Sequence, residues 1–196
     1  MRLIATMILL AAGGNAVAGK SGGDPARRVT VCMDRDNSAT GLGAEGASRL
    51  FAGIGVAIEW HTVYACPSAS GAIRAVVSEQ APPPGHDGDL AYAFPYEGTR
   101  IVIFYARIKD MARNRNLLVS RLLAYVLAHE IAHVLQWTSR HSDSGIMKAH
   151  WNHADEIQIQ KNTLRFTPFD VDLINDGMAA RLALKTAHEP GTAAAN

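Results

Sequence analysis

The chain has 196 residues, 48% of them apolar and 19% charged, which is enough to bury one substantial core and gives no reason to expect two. Lysine and arginine number 19 against 18 acids, so no strong field draws the molecule to nucleic acid or to an anionic membrane surface. Function has to be sought in a local site.

In chain order, Arg2 precedes the apolar run Leu3 to Ala12, and Ala16-Val17-Ala18 offers small residues at the positions a signal peptidase inspects. The reading is a signal peptide over residues 1–18 and a secreted or periplasmic product. That run is far shorter than the ~20 residues a membrane-spanning helix needs, so no stable membrane insertion is expected. Losing Arg2 and no acid leaves 18 basic and 18 acidic side chains. Cys32 and Cys66 both follow the cleavage point, and oxidising conditions outside the cytosol are expected to join them.

Residues 19–185 are expected to form one domain and 186–196 a flexible tail. Arg28 to Met33 alternates like a strand. Ala47, Leu50, Phe51 and Ile54 recur at helical spacing within Ala44 to Ile54, and Gly55 stands where helices commonly finish. Val56 to Tyr64 and Ala72 to Ser78 read as strands, with His61 on the sheet surface. The Pro/Gly/Asp-rich stretch Ala81 to Asp89 reads as an exposed loop that leaves His86 in solvent. Asp89 to Pro95 is extended, its proline suiting an edge strand, and Arg100 to Ala106 is strongly β-prone. Leu118, Leu122, Val126, Leu127, Ile131, Val134 and Leu135 make Leu117 to Trp137 the clearest helix. Beyond it the pattern predicts an irregular stretch to Glu156, with His150 and His153 as loop residues near the cleft, and an extended segment from Ile157 to Phe166. A final helix is announced by Thr167 as N-cap, Pro168 as first helical residue and Asp170 three after the cap, with fraying expected after Leu184.

Chemistry concentrates in His129-Glu130-Ile131-Ala132-His133. Residues four apart on a helix project from one face, so His129 and His133 can grip one Zn2+ ion. A catalytic zinc takes three protein ligands and leaves a fourth position to water, beside which Glu130 would serve as general base. The third ligand has to come from beyond the helix, and His141, Asp143 and Glu156 are the candidates. A glutamate at 156 would need to stand on a second helix facing the first.

The segment from His129 to Met147, HEIAHVLQWTSRHSDSGIM, resembles the metzincin clan of zinc peptidases, in the matrixin- or archaemetzincin-like manner. In that clan HExxHxxGxxH is followed by a tight turn containing methionine. The resemblance implies His141 as third ligand and Met147 as the turn methionine, and Ser142 follows the last histidine as in matrixins. Gln136 stands where the clan has its turning glycine, two further residues precede the last histidine, and Ala149 replaces the tyrosine of astacin-like relatives. DLAYAFPYEGTRIVIF resembles the matrixin edge strand and its hairpin partner, which would set Leu90 to Phe94 along the substrate cleft.

Together these readings predict an α/β (α+β) metzincin-like zincin domain: a twisted mixed sheet with an antiparallel edge strand, an active-site helix and a C-terminal helix. The expected activity is zinc-dependent endopeptidase, acting on a peptide or protein substrate. Two alternatives are a gluzincin-like peptidase with Glu156 as third ligand and an exported, non-catalytic zinc-binding domain. The sequence does not specify an oligomeric state.

Overall fold

The computed structural model describes residues 27–188 apart from 35, 68–70 and 87. The expected signal peptide and the end of the expected tail lie outside the described residues. Five strands form one sheet in the order β2-β1-β3-β5-β4: β1 Arg28–Cys32, β2 Ala57–His61, β3 Ile73–Ser78, β4 Ala91–Phe94 and β5 Arg100–Phe104. β1 to β3 and β5 run parallel, and β4 alone is antiparallel, with Ala91 opposite Ile103 and Ala93 opposite Ile101. The mixed sheet with an antiparallel edge strand is therefore present as expected.

Period-two alternation decides which face is covered. Val29 and Val31, Ile73 and Ala75, and Ile101 and Ile103 are buried, whereas Arg74 and Val76, on the other face of β3, are exposed. Against the buried face lie α1 (Ser38–Ala52) and α3 (Val119–Gln136), the two helices that pack most extensively on each other. Every residue of α3 from Leu122 to Gln136 is buried. A helix enclosed on all sides is a core element, so its histidines sit where geometry is most tightly held. α5 (Pro168–His188) packs on α3 so closely that a Cβ at Gly177 would collide with the carbonyl of Leu135. The helix runs to His188, past the fraying expected after Leu184.

Cys32 and Cys66 form a disulfide, Cα atoms 5.6 Å apart, tying the end of β1 to the loop after β2. His61 lies on the edge strand β2, partly exposed, in keeping with its reading as a sheet-surface residue. Among the described residues no helix is long and apolar enough to cross a membrane.

The structure corrects several sequence readings. The helix expected over Ala44 to Ile54 begins at Ser38, where Asn37 accepts from Thr40 N–H and Thr40 Oγ1 accepts in return. The strand expected to reach Ala106 ends at Phe104, and a helix absent from the sequence reading, α2 (Tyr105–Asn114), follows at once with Tyr105, Ile108 and Ala112 inward. No Gly or Pro marks that junction, so the β-prone run concealed it.

The third correction concerns α4 (His153–Gln160), where the sequence pattern predicts an irregular and then an extended chain. Ile157 and Ile159 alternate with glutamines, which imitates a strand; in the helix Ile159 is buried and Ile157 exposed. The decisive signal is the Asn152/Asp155 capping box, in which Asn152 Oδ1 accepts from two backbone amides and Asp155 Oδ2 accepts from Asn152 N–H. His153 is consequently a first-turn helix residue and not a loop residue.

Candidate metal centre

α3 carries His129 and His133 one turn apart, with Nε2 atoms 3.0 Å from each other. His141, in the loop beyond the helix, brings its Nε2 to 3.3 Å from that of His133. One ligand atom from each of the three lies within 4.8 Å of the others. Three nitrogens ~2.0 to 2.1 Å from one tetrahedral ion would stand ~3.3 Å apart, close to the two separations that His133 makes.

The hydrogen bonds define which nitrogens face inward. His129 Nδ1 donates to the carbonyl of Ile146 at 2.7 Å, and His133 Nδ1 donates to that of Thr138 at 2.9 Å. Each neutral ring then presents a bare Nε2 lone pair to its neighbour. Lone pairs facing one another at this distance repel unless a cation lies between them, and the outward bonds are those that orient metal-ligating histidines. Burial pushes His129 down to about 3 and His133 down to about 4 from the ordinary 6.5, so both are neutral over the physiological range. His141 is also lowered, first by burial and then by His150.

Chain reversal after α3 takes place at Trp137, which adopts a left-handed conformation (φ 53°) and caps the helix through a bond to His133 O. Gln136, at the position of the clan's glycine, remains helical and buried, and its Nε2 donates to Asp170 O at 3.2 Å. A second turn follows, in which Ser142 N–H donates to Met147 O at 2.8 Å and Met147 is fully buried. Gly145 has φ +77°, and a Cβ there would stand 2.5 Å from Arg165 O; a side chain at this position would be both strained and obstructed.

Glu130 is buried below β4. Burial first, and the Asp89 carboxylate second, push it up to about 8 from 4.5, against the opposing pull of the Ala93 backbone N–H. The three histidines and Glu130 open into a cleft of ≈ 570 Å³ whose wall includes Leu90 to Ala93, where the sequence placed the substrate strand. His86, expected in solvent, is partly buried: its ring stacks on Tyr92 at 4.4 Å and Nδ1 contacts Asp89 Oδ2 at 2.7 Å. His150 lines the cleft from its loop.

The other candidate ligands lie elsewhere. Asp143 is exposed and does not join the convergence. Glu156 does stand on a helix, but its buried carboxylate pairs with Arg115 and His153, each at 3.5 Å. Sequence reasoning missed Trp151, whose ring lies edge-on to His129 at 5.9 Å, and the contribution of the Ile146 and Thr138 carbonyls, since a backbone acceptor has no residue signature.

No protein-family model matches this chain, and no curated protein matches it. In three dimensions it is similar to the crystal structure of an archaemetzincin from Methanopyrus kandleri, with a TM-score of 0.55 at 11% identity, over 78% of this chain and 94% of that one. The fold is that of archaemetzincin. On this archaemetzincin-like frame, the cluster of His129, His133 and His141 points to a zinc-type metal site.

Proposed function

We propose that this protein is a zinc-dependent endopeptidase. The observation that carries the reading is the convergence of three imidazole nitrogens beside a buried carboxylate, under the edge strand of an open cleft. His129, His133 and His141 would hold the ion. A bound zinc polarises a carbonyl and lowers the pKa of its water to ~7. The charge of that cation would favour the ionised form of Glu130, whose carboxylate would accept the water's proton and return it to the leaving amine. β4 is bonded to β5 on one side and closes the sheet on the other, so an extended peptide can add to its free edge with its scissile carbonyl over the histidines. The matrixin-like HS pair and methionine turn agree with this reading. The Cys32–Cys66 disulfide supports export through residues 1–18.

The test combines metal analysis with cleavage of a peptide library. Wild type should bind about one zinc per chain, the stoichiometry of a single three-ligand site. His133→Ala should lose the ion. Glu130→Gln should keep it while hydrolysis falls roughly 100-fold or more, the scale of losing a general base. Zinc binding without any detectable hydrolysis would replace the enzyme with a non-catalytic zinc-binding domain, and metal loss in Glu156→Ala but not in His141→Ala would restore the gluzincin-like site.

A further inference from the structure

The three histidines are not held alike. His129 and His133 are fixed twice over, by a rigid buried helix and by an Nδ1 bond to a backbone carbonyl. His141 is exposed, sits in a loop, and among the described residues its Nδ1 has no hydrogen-bond partner. Its orientation has to be imposed through its backbone and its neighbours.

The neighbours on both sides lead to one residue. Asp170, in the first turn of α5, is 0% exposed. Its Oδ1 accepts from Ser142 Oγ at 2.5 Å and faces Arg140 Nη2 at 3.4 Å; its Oδ2 accepts from Thr167 N–H at 3.1 Å and Thr167 Oγ1 at 2.7 Å. Arg140 also donates from Nη1 to the carbonyl of His141 itself at 2.8 Å and from Nη2 to Ser142 Oγ at 3.1 Å, while its guanidinium lies 4.7 Å over the Phe169 ring. The backbone carbonyl of Asp170 holds Gln136 at the end of α3. Residues 136, 140 and 142 are therefore anchored to one point on α5, with His141 between the last two.

A helix N-cap would have satisfied Thr167 with the Asp170 carboxylate alone. Burying the second oxygen of a carboxylate is costly unless it too is bonded, and here it is bonded by the residues flanking a candidate ligand. We infer that Asp170 is a positioning residue for the metal centre, which holds His141 in ligating orientation by clamping Arg140 and Ser142. This inference rests on the three-histidine reading above, and it adds that the C-terminal helix sets the geometry of the third ligand.

The experiment measures zinc affinity by competition with a chromophoric chelator, and the visible spectrum of the cobalt-substituted protein, for Ser142→Ala, Ser142→Thr and Arg140→Ala. Asn37→Ala serves as control, since Asn37 caps α1 through Thr40 and shares no hydrogen bond with His141, Arg140, Ser142 or Asp170. Ser142→Ala should weaken zinc about tenfold or more, the scale of outer-shell partners, and should shift the cobalt bands. Arg140→Ala should act in the same direction, Ser142→Thr should restore both readouts, and Asn37→Ala should lower the melting temperature with neither readout changed. Wild-type affinity and an unshifted spectrum in Ser142→Ala would overturn the inference, as would an equal loss of affinity in Asn37→Ala. A wild type that binds no zinc would instead overturn the metal centre itself.

Discussion

Replacing Glu130 by Gln in metal-free protein tests the environment of this carboxylate without reference to catalysis. The group titrates near 4.5 unfolded and is pushed up to about 8 when folded, first by burial and then by Asp89. A raised carboxylate contributes stability that is fully present below pH 4.5 and is lost as pH rises through 8, because the folded state then retains a proton the unfolded state has released. Over pH 6.5 to 7.5 the two pKa values imply a loss on the order of 1 kcal/mol from this one group. Glutamine has nothing to lose, so the stability of Glu130→Gln relative to wild type should grow by that amount across the window. The lowered histidines act in the opposite sense, since their contribution is present above 6.5 and lost as pH falls toward 3 or 4; they are common to both proteins and cancel. Urea unfolding of chelator-treated protein at pH 6.5, 7.0 and 7.5 measures the difference. A gap between variant and wild type that stays constant would refute the claim that burial raises the Glu130 carboxyl in the metal-free protein.

Gly177→Ala places a methyl group into the Leu135 carbonyl, so α5 has to move off α3 at a cost of about 3 kcal/mol or more, at the upper end of overpacking effects; a thermal melt within a degree of wild type would contradict the packing. Replacing Cys32 and Cys66 together by serine opens a loop whose ends are separated by 34 residues, and chain entropy sets the loss at about 3 to 4 kcal/mol. Denaturant midpoints of the two proteins measure that loss, and equal midpoints would show that the bridge constrains nothing.

The chemistry was legible in the chain because it is local. Residues 129 and 133 share a face of any α-helix, and the apolar recurrence from Leu118 to Leu135 places them on one. The N-cap of α5 was legible for the same reason, being four residues long. Local signals also misled: the Ile157–Ile159 alternation imitated a strand within α4, and the β-prone run before Tyr105 concealed α2, because burial against α3 and the sheet overrides intrinsic preference.

What the tertiary structure alone decided is everything that depends on which distant residues meet. Spacing left His141, Asp143 and Glu156 as candidates; the structure brings His141 to the other two and commits Glu156 to Arg115 and His153. It places Asp89 beside Glu130 from 41 residues upstream in the chain. It also gives Asp170, legible as a cap, its second set of partners around His141. A helix period or a capping box is written in consecutive residues and survives without the rest of the fold. Convergence across loops follows from how the buried faces of the sheet and helices pack together, and no short stretch of sequence contains that information.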